Sequence, residues 1–158
     1  MIEIKIGDYS VKIDDEFEKL ITAFNWKVYR FNKKGSPEIL YAQCNVAGKP
    51  VYMHRLILDC SGKEIDHINR DGLDNRKENL RIATRSQNSA NKPSYGGSSK
   101  FKGVCKANTK SVRYRAWIMK NKKSIYLGSF KTEIEAAVAY NKAAFDAWGD
   151  FAMLNKID

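Results

Sequence analysis

The stretch IDHINRDGLDNRKENLRIATRSQNSAN, residues 65–91, decides how this chain reads. Two short runs, EIDHI and LRIAT, flank the turn formers Asp71 and Gly72, which predicts a hairpin with a long loop. Thr84, followed three residues later by Gln87, forms a capping-box pattern, so a helix is expected to start there and carry Asn88. The predicted order is strand, loop, strand, helix.

The chain holds two histidines, and one of them, His67, stands directly behind Asp66. Phosphodiester hydrolysis needs a water deprotonated near neutral pH and a cation to stabilise charge on the phosphate and the leaving oxygen. An imidazole has the intrinsic pKa for the first task, and a carboxylate offers a hard oxygen ligand for the second. Neighbours in a regular strand point to opposite faces, so both can serve one phosphate only where the chain bends, as at a strand end. The helix after Thr84 can bring the Asn88 amide oxygen to the same cation from the other side.

With MHRLIL a few residues upstream, residues 52–92 resemble the HNH endonucleases, specifically phage-type homing endonucleases with a ββα-metal fold. The resemblance implies that Asp66 is a metal ligand and His67 the general base. It makes Asn79 the central asparagine that braces the loop and orients the histidine, and Asn88 the second metal ligand. Many HNH nucleases carry histidine at that last position. Asparagine implies a weaker protein hold on the cation, completed by phosphate and water, and favours magnesium or manganese. His54 matches the family's upstream histidine, for which a structural or phosphate-contacting role is expected. Asn75 reads as a plain turn residue. Among Arg55, Arg70, Arg76, Arg81 and Arg85, the expected phosphate contact is Arg81.

Working outward toward the N-terminus, IEIKIGDYSVKID alternates apolar and polar residues about Gly7 and Asp8 and predicts a hairpin. DEFEKLITAF predicts a short helix capped by Asp14 or Asp15. WKVYRF, ILYAQCNV and KPVY are rich in aromatic and β-branched residues and are separated by NKKGSP and AGK, so strands are expected there, the last leading into a short helix at HRLIL. The front of the chain is thus a β-rich platform.

Beyond the hairpin, KPSYGGSSK has nothing to bury and carries a proline, so residues 93–100 are expected to link domain 1–92 to domain 101–158. FKGVCKA, YRAWIMK and SIYLGSF predict three strands. TEIEAAVAYNKAAFDAWG predicts an amphipathic helix, capped by Thr132 and Glu135, ended by Gly149, with Ile134, Ala137, Val138, Ala144 and Phe145 near helical spacing. On the middle strand, alternation sets Arg113, Arg115, Trp117 and Met119 on one face and Tyr114, Ala116 and Ile118 on the other, the smaller set under the helix. The fold class expected is α+β: a ββα-metal region with its platform, plus a three-stranded antiparallel sheet on one helix.

This C-terminal part, above all YLGSFKTEIEAAVAYNKAAF, resembles the Apetala-two or ethylene-response-factor type DNA-binding domain. The resemblance places Lys102, Cys105, Ala107, Trp117, Met119, Ser124 and Tyr126 at contacting positions, several of which are arginines in the plant proteins. The plant target sequence therefore does not carry over. Lys102, Arg113, Arg115, Trp117, Lys123 and Tyr126 are the expected DNA contacts.

A net charge of +10 over 158 residues points to a polyanionic partner, with double-stranded DNA first. Cys44, Cys60 and Cys105 are odd in number and lack CxxC spacing, so neither a disulfide framework nor a cysteine zinc site is indicated, which suits a reducing cytoplasm, that of a bacterial host or phage-infected cell. No stretch approaches the roughly 20 apolar residues of a membrane span, and the N-terminus lacks a basic region followed by an apolar run. No obligatory protein partner is indicated, and the chain is expected to act as monomer or dimer. The expected function is a metal-dependent DNA endonuclease that nicks; the competing reading is a sequence-specific DNA-binding regulator on a relic nuclease fold.

Overall fold

Alternation and turn residues place most elements where the sequence predicts them. The computed structural model describes residues 1–31, 38–60, 62–94, 97–107 and 113–157. The NKKGSP turn (32–37) and positions 95 and 96 of the expected linker lie outside them. The chain divides into two compact units, Met1–Thr84 and Arg85–Asp158, and its class is α+β.

In the first unit β1 (Ile2–Ile6) and β2 (Tyr9–Ile13) form the N-terminal hairpin. A 3-10 turn at Asp15–Phe17 leads into α1 (Glu18–Thr22). Asp14 stands at the N-cap position without capping; its carboxylate instead accepts the Lys77 backbone N–H at 2.8 Å. An acceptor drawn to a donor 63 residues away is a tertiary choice that local spacing does not record.

Strands β3 (Lys27–Phe31), β4 (Ile39–Val46) and β5 (Lys49–Tyr52) form an antiparallel sheet with β4 central, and α2 (Met53–Ile57) comes directly after β5. The hairpin of β6 (Glu64–His67) and β7 (Leu80–Ala83) pairs Asp66 with Arg81 and His67 with Leu80. Val11, Ile13, Ile21 and Met53 are wholly buried and share one core with Ile65, Leu73 and Leu80. The platform and the β6–β7 hairpin therefore fold around the same apolar residues, each buried side chain worth about 1.5–3 kcal/mol.

The second unit holds α3 (Arg85–Ala90), a sheet in the order β10 (Lys123–Phe130), β9 (Arg113–Lys120), β8 (Val104–Ala107), and α4 (Glu133–Trp148). The expected division after residue 92 thus falls earlier, because α3 is tied to Lys102 and to the end of the chain. Lys102 Nζ donates to the carbonyls of Ala90 (2.5 Å) and Lys92 (2.6 Å). Met153 N–H donates to Ala90 O at 3.1 Å, and the Trp148 indole N–H donates to Ser86 Oγ at 3.1 Å.

Helix α4 begins with the predicted capping box: Thr132 Oγ1 accepts the Glu135 N–H, and the Glu135 carboxylate accepts the Thr132 N–H. Its buried face differs from the expected one. Ala136, Ala137, Tyr140 and Ala144 face inward, whereas Ile134, Val138 and Phe145 are about half exposed. Alanines let the helix approach the sheet closely, over the buried Ala116 and Ile118 of β9, leaving no room for the branched residues. No helix among the described residues is long and apolar enough to cross a membrane.

Candidate active site

His67 closes β6, and the loop Ile68–Asn79 returns the chain to β7. Lys12 of β2 brackets this loop, donating its N–H to Leu73 O (2.9 Å) and accepting from Asn75 N–H (2.8 Å). Asn79 spans the loop from inside: its Oδ1 accepts the Asn69 N–H at 2.9 Å and its Nδ2 donates to Asp74 O at 2.7 Å. Asp74, almost fully buried, takes a two-pronged pair from Arg76 (2.8 and 2.7 Å) and a third bond from Asn69 Nδ2 (2.8 Å). The loop is long, yet nearly every polar group of its base is tied down.

The turn reading of Asn75 is corrected. Its side chain is wholly buried, with Oδ1 3.4 Å from His67 Nε2, while its Nδ2 is buried and has no hydrogen-bond partner among the described residues. A donor left unpaired in the interior is costly, so this amide is held by its surroundings against that cost, facing the histidine. Tight space explains it. A Cβ on Gly72 would sit 2.2 Å from Leu40 O and 2.6 Å from the Tyr41 ring, so the loop lies directly on β4.

Tyr41 in turn packs on both histidines, with ring centroids 5.8 Å from His67 and 5.6 Å from His54. His54, buried on α2, stacks on Tyr52 at 5.5 Å and meets His67 edge-on at 5.0 Å. Burial pushes the His54 pKa down to about 3, with the charges of His67 and Arg55 adding to it. A buried, neutral ring is a packing element here rather than an exposed phosphate contact. Burial also holds His67 below the ordinary imidazole value, opposed by its Asn75 bond and by the charges of Asp66, Asp71 and Asp74. The imidazole is thus neutral at pH 7 and able to accept a proton.

Asp66 is buried beside it, and Arg81 donates from both Nε and Nη2 to Asp66 Oδ2 at 2.8 Å. The guanidinium expected on a DNA phosphate thus pairs here with the carboxylate that the resemblance assigns to a metal. Asn88 lies on α3 in the second unit. Among the described residues no group of three His, Cys, Asp or Glu side chains forms a metal cage. A carboxylate and an amide oxygen are each hard donors of the kind that magnesium or manganese takes.

Residues 51–90 match the HNH endonuclease family. An uncharacterized HNH endonuclease of Acanthamoeba polyphaga mimivirus is 42% identical over 94 residues, 60% of this chain and 48% of that protein. The chain therefore spans about half the length of the relative it matches. No solved structure matches it.

On the C-terminal sheet, Arg113, Arg115, Trp117 and Met119 face outward and Ala116 and Ile118 inward, the alternation expected. Trp117 pairs in register with Tyr126, their ring centroids 4.8 Å apart, and Tyr126 shares a hydrogen bond with Ser129 Oγ at 2.7 Å. Lys123 is exposed at the start of β10. Lys102 does something else: besides capping α3 with its ammonium, it exchanges backbone bonds with the Asn155 side chain (2.7 and 3.1 Å). Tyr41 escaped the sequence reading, as did the packing roles of Asn75 and Gly72, both read there as turn residues. The signal for Asn75 was its position in the same loop as His67, eight residues on.

Proposed function

We propose that this chain is a metal-dependent DNA endonuclease of the homing HNH kind, which hydrolyses phosphodiester bonds in double-stranded DNA and nicks one strand per active site. The observation that carries the reading is a buried, neutral His67 whose Nε2 is turned to Asn75, directly beside the buried Asp66. With Nε2–H donating to Asn75 Oδ1, Nδ1 is the basic nitrogen. It takes the proton of the attacking water as the new oxygen–phosphorus bond forms and the bond to the 3′ oxygen breaks; that oxygen leaves and takes a proton from solvent.

Asp66 and Asn88 would hold the divalent cation, which supplies Lewis-acid stabilisation of the phosphate and the leaving oxygen. Arg81 orients Asp66 by fixing one carboxylate oxygen. Asn79 and the Asp74–Arg76 pair keep the loop closed behind His67. The outward face bearing Arg113, Arg115, Trp117, Lys123 and Tyr126 supplies DNA affinity and site choice, in the manner of an Apetala-two sheet. The setting is the cytoplasm of a bacterial host or an infected cell, and the protein acts as monomer or dimer.

The test is relaxation of supercoiled plasmid with magnesium or manganese, comparing wild type, His67→Ala and an EDTA control. Metal-dependent nicking that disappears in His67→Ala, with DNA binding retained, is the expected result. A folded wild type that binds plasmid but never nicks it turns the reading toward a DNA-binding regulator.

A further inference from the structure

A cleft of about 620 Å³ opens inside the second unit, between α3, the β9–β10 turn and the end of α4. Its walls are Met119, Ala90 and the Trp148 indole. Arg85, Lys102 and Lys122 stand around it, and no carboxylate lines it. Such a cleft, mostly apolar with a cationic rim, matches a flat aromatic body that carries negative charge.

A second feature points to a ligand. Tyr140 lines the cleft with its ring buried, and its hydroxyl, which makes no hydrogen bond among the described residues, is left open to solvent. Burial pushes its pKa up to about 12, so at neutral pH it is a phenol with a proton to donate. The ring cannot swing away from the cleft. Gly103 presses on it so closely that a Cβ there would lie 2.0 Å from Tyr140 Cδ2.

The helix that forms one wall also carries Asn88. Arg85, Ser86, Ser89 and Ala90 of α3 line it, while Asn88 does not. At 100° per residue those four span one side of the helix, and Asn88 projects well away from their centre. A ligand in the cleft would therefore sit about one helix diameter, roughly 10 Å, from the asparagine assigned to the cation.

We infer that this cleft takes a single unpaired nucleobase of the DNA substrate, stacked against Trp148 and hydrogen-bonded by the Tyr140 hydroxyl, with the flanking phosphates on Arg85 and Lys122. This deepens the nuclease reading and rests on it for the identity of the substrate. Extruded bases are held elsewhere by the same means, a polar edge contact and an apolar or aromatic wall.

The test uses the full chain without divalent metal and two labelled single-stranded 12-mers with equal phosphates, oligothymidylate and its fully abasic counterpart. Binding is read by fluorescence anisotropy for wild type, Ser89→Phe, which fills the mouth of the cleft, and Tyr140→Phe, which removes only the hydroxyl. Wild type is expected to prefer oligothymidylate by roughly 5- to 100-fold. Ser89→Phe should bring that ratio down toward the residual preference of the Trp117–Tyr126 face, and Tyr140→Phe should lower it about threefold, a single neutral hydrogen bond; both should leave the abasic affinity unchanged. A ratio near one in wild type, or one that neither variant lowers, overturns the base site. Plasmid nicking by the same preparations separates the two readings: nicking retained with an unchanged ratio sinks only the base site, and a variant-sensitive ratio without nicking sinks only the nuclease.

Discussion

The imidazole of His54 meets that of His67 edge-on, their centroids 5.0 Å apart, with Tyr41 packed against both. This contact joins α2, at the end of the platform sheet, to the end of β6, where the proposed base stands.

His54 makes the fold sensitive to acid. Its folded pKa, about 3, lies below the unfolded value of about 6.5, so the unfolded chain binds the proton more readily. The stability this creates is fully present above about pH 6.5 and is lost as pH falls toward about 3. Urea midpoints of wild type should therefore decline between pH 6.5 and 4, and His54→Phe, which keeps a ring against Tyr52, should flatten the decline. An equal slope in both proteins would assign the acid sensitivity to other groups.

Gly72 controls the same cluster from the loop. A methyl group there would meet the Leu40 carbonyl at 2.2 Å, and backbone in the middle strand of a sheet cannot yield as a flexible side chain can. Gly72→Ala is expected to cost about 1–3 kcal/mol of stability through overpacking. It should also slow nicking more than it weakens DNA binding, because Tyr41 moves against His67. Thermal unfolding and single-turnover nicking measure the two effects separately.

Much of this was legible in local pattern. Period-two alternation and turn residues marked the hairpins, and Thr132, Glu135 and Gly149 marked both ends of α4. The cases that failed depend on what lies across the fold. Which side of α4 is buried is set by how closely the helix approaches the sheet, so Tyr140 and the alanines won over Ile134, Val138 and Phe145. Asp14 looks like a helix cap until Lys77 offers its N–H from 63 residues away. Asn75 looks like a turn residue until β2 and Gly72 bury it facing His67.

Asn75 therefore serves as a probe of orientation. Asn75→Ala removes the acceptor on His67 Nε2 together with the unpaired Nδ2. The imidazole keeps its place in the aromatic cluster but loses the bond that sets its tautomer, so nicking should slow on the order of 10- to 100-fold with DNA affinity unchanged. Asn75→Asp, which restores an acceptor, should recover part of the rate. A parallel loss of affinity and rate would mean that the loop itself had collapsed.

Asp74 gives a separate acid signature. Its bonds from Arg76 hold the carboxyl below the ordinary aspartate value, against the opposing cost of burial. That stabilisation is present above the unfolded pKa of about 3.9 and disappears as pH falls through the folded value. Asp74→Asn should therefore be less stable than wild type at pH 7, with the gap closing only below pH 4. His54 acts at higher pH, so the two variants should divide the acid unfolding curve between them.

The outward face of the C-terminal sheet makes the last prediction. Arg115 lies in register between Cys105 and Ser129, and Arg113 is exposed two residues before it on the same face. Neither guanidinium is needed to cover the core beneath α4, so their removal should leave folding intact. If each neutralises one phosphate, log affinity against log salt should become shallower by about 0.9 for each arginine replaced by alanine. Trp117→Ala should lower affinity at every salt concentration without changing that slope, because stacking and apolar contact release no counterions. A slope untouched by both arginine replacements would move the DNA-binding surface away from this sheet. The basic residues elsewhere on the chain would then have to carry the affinity.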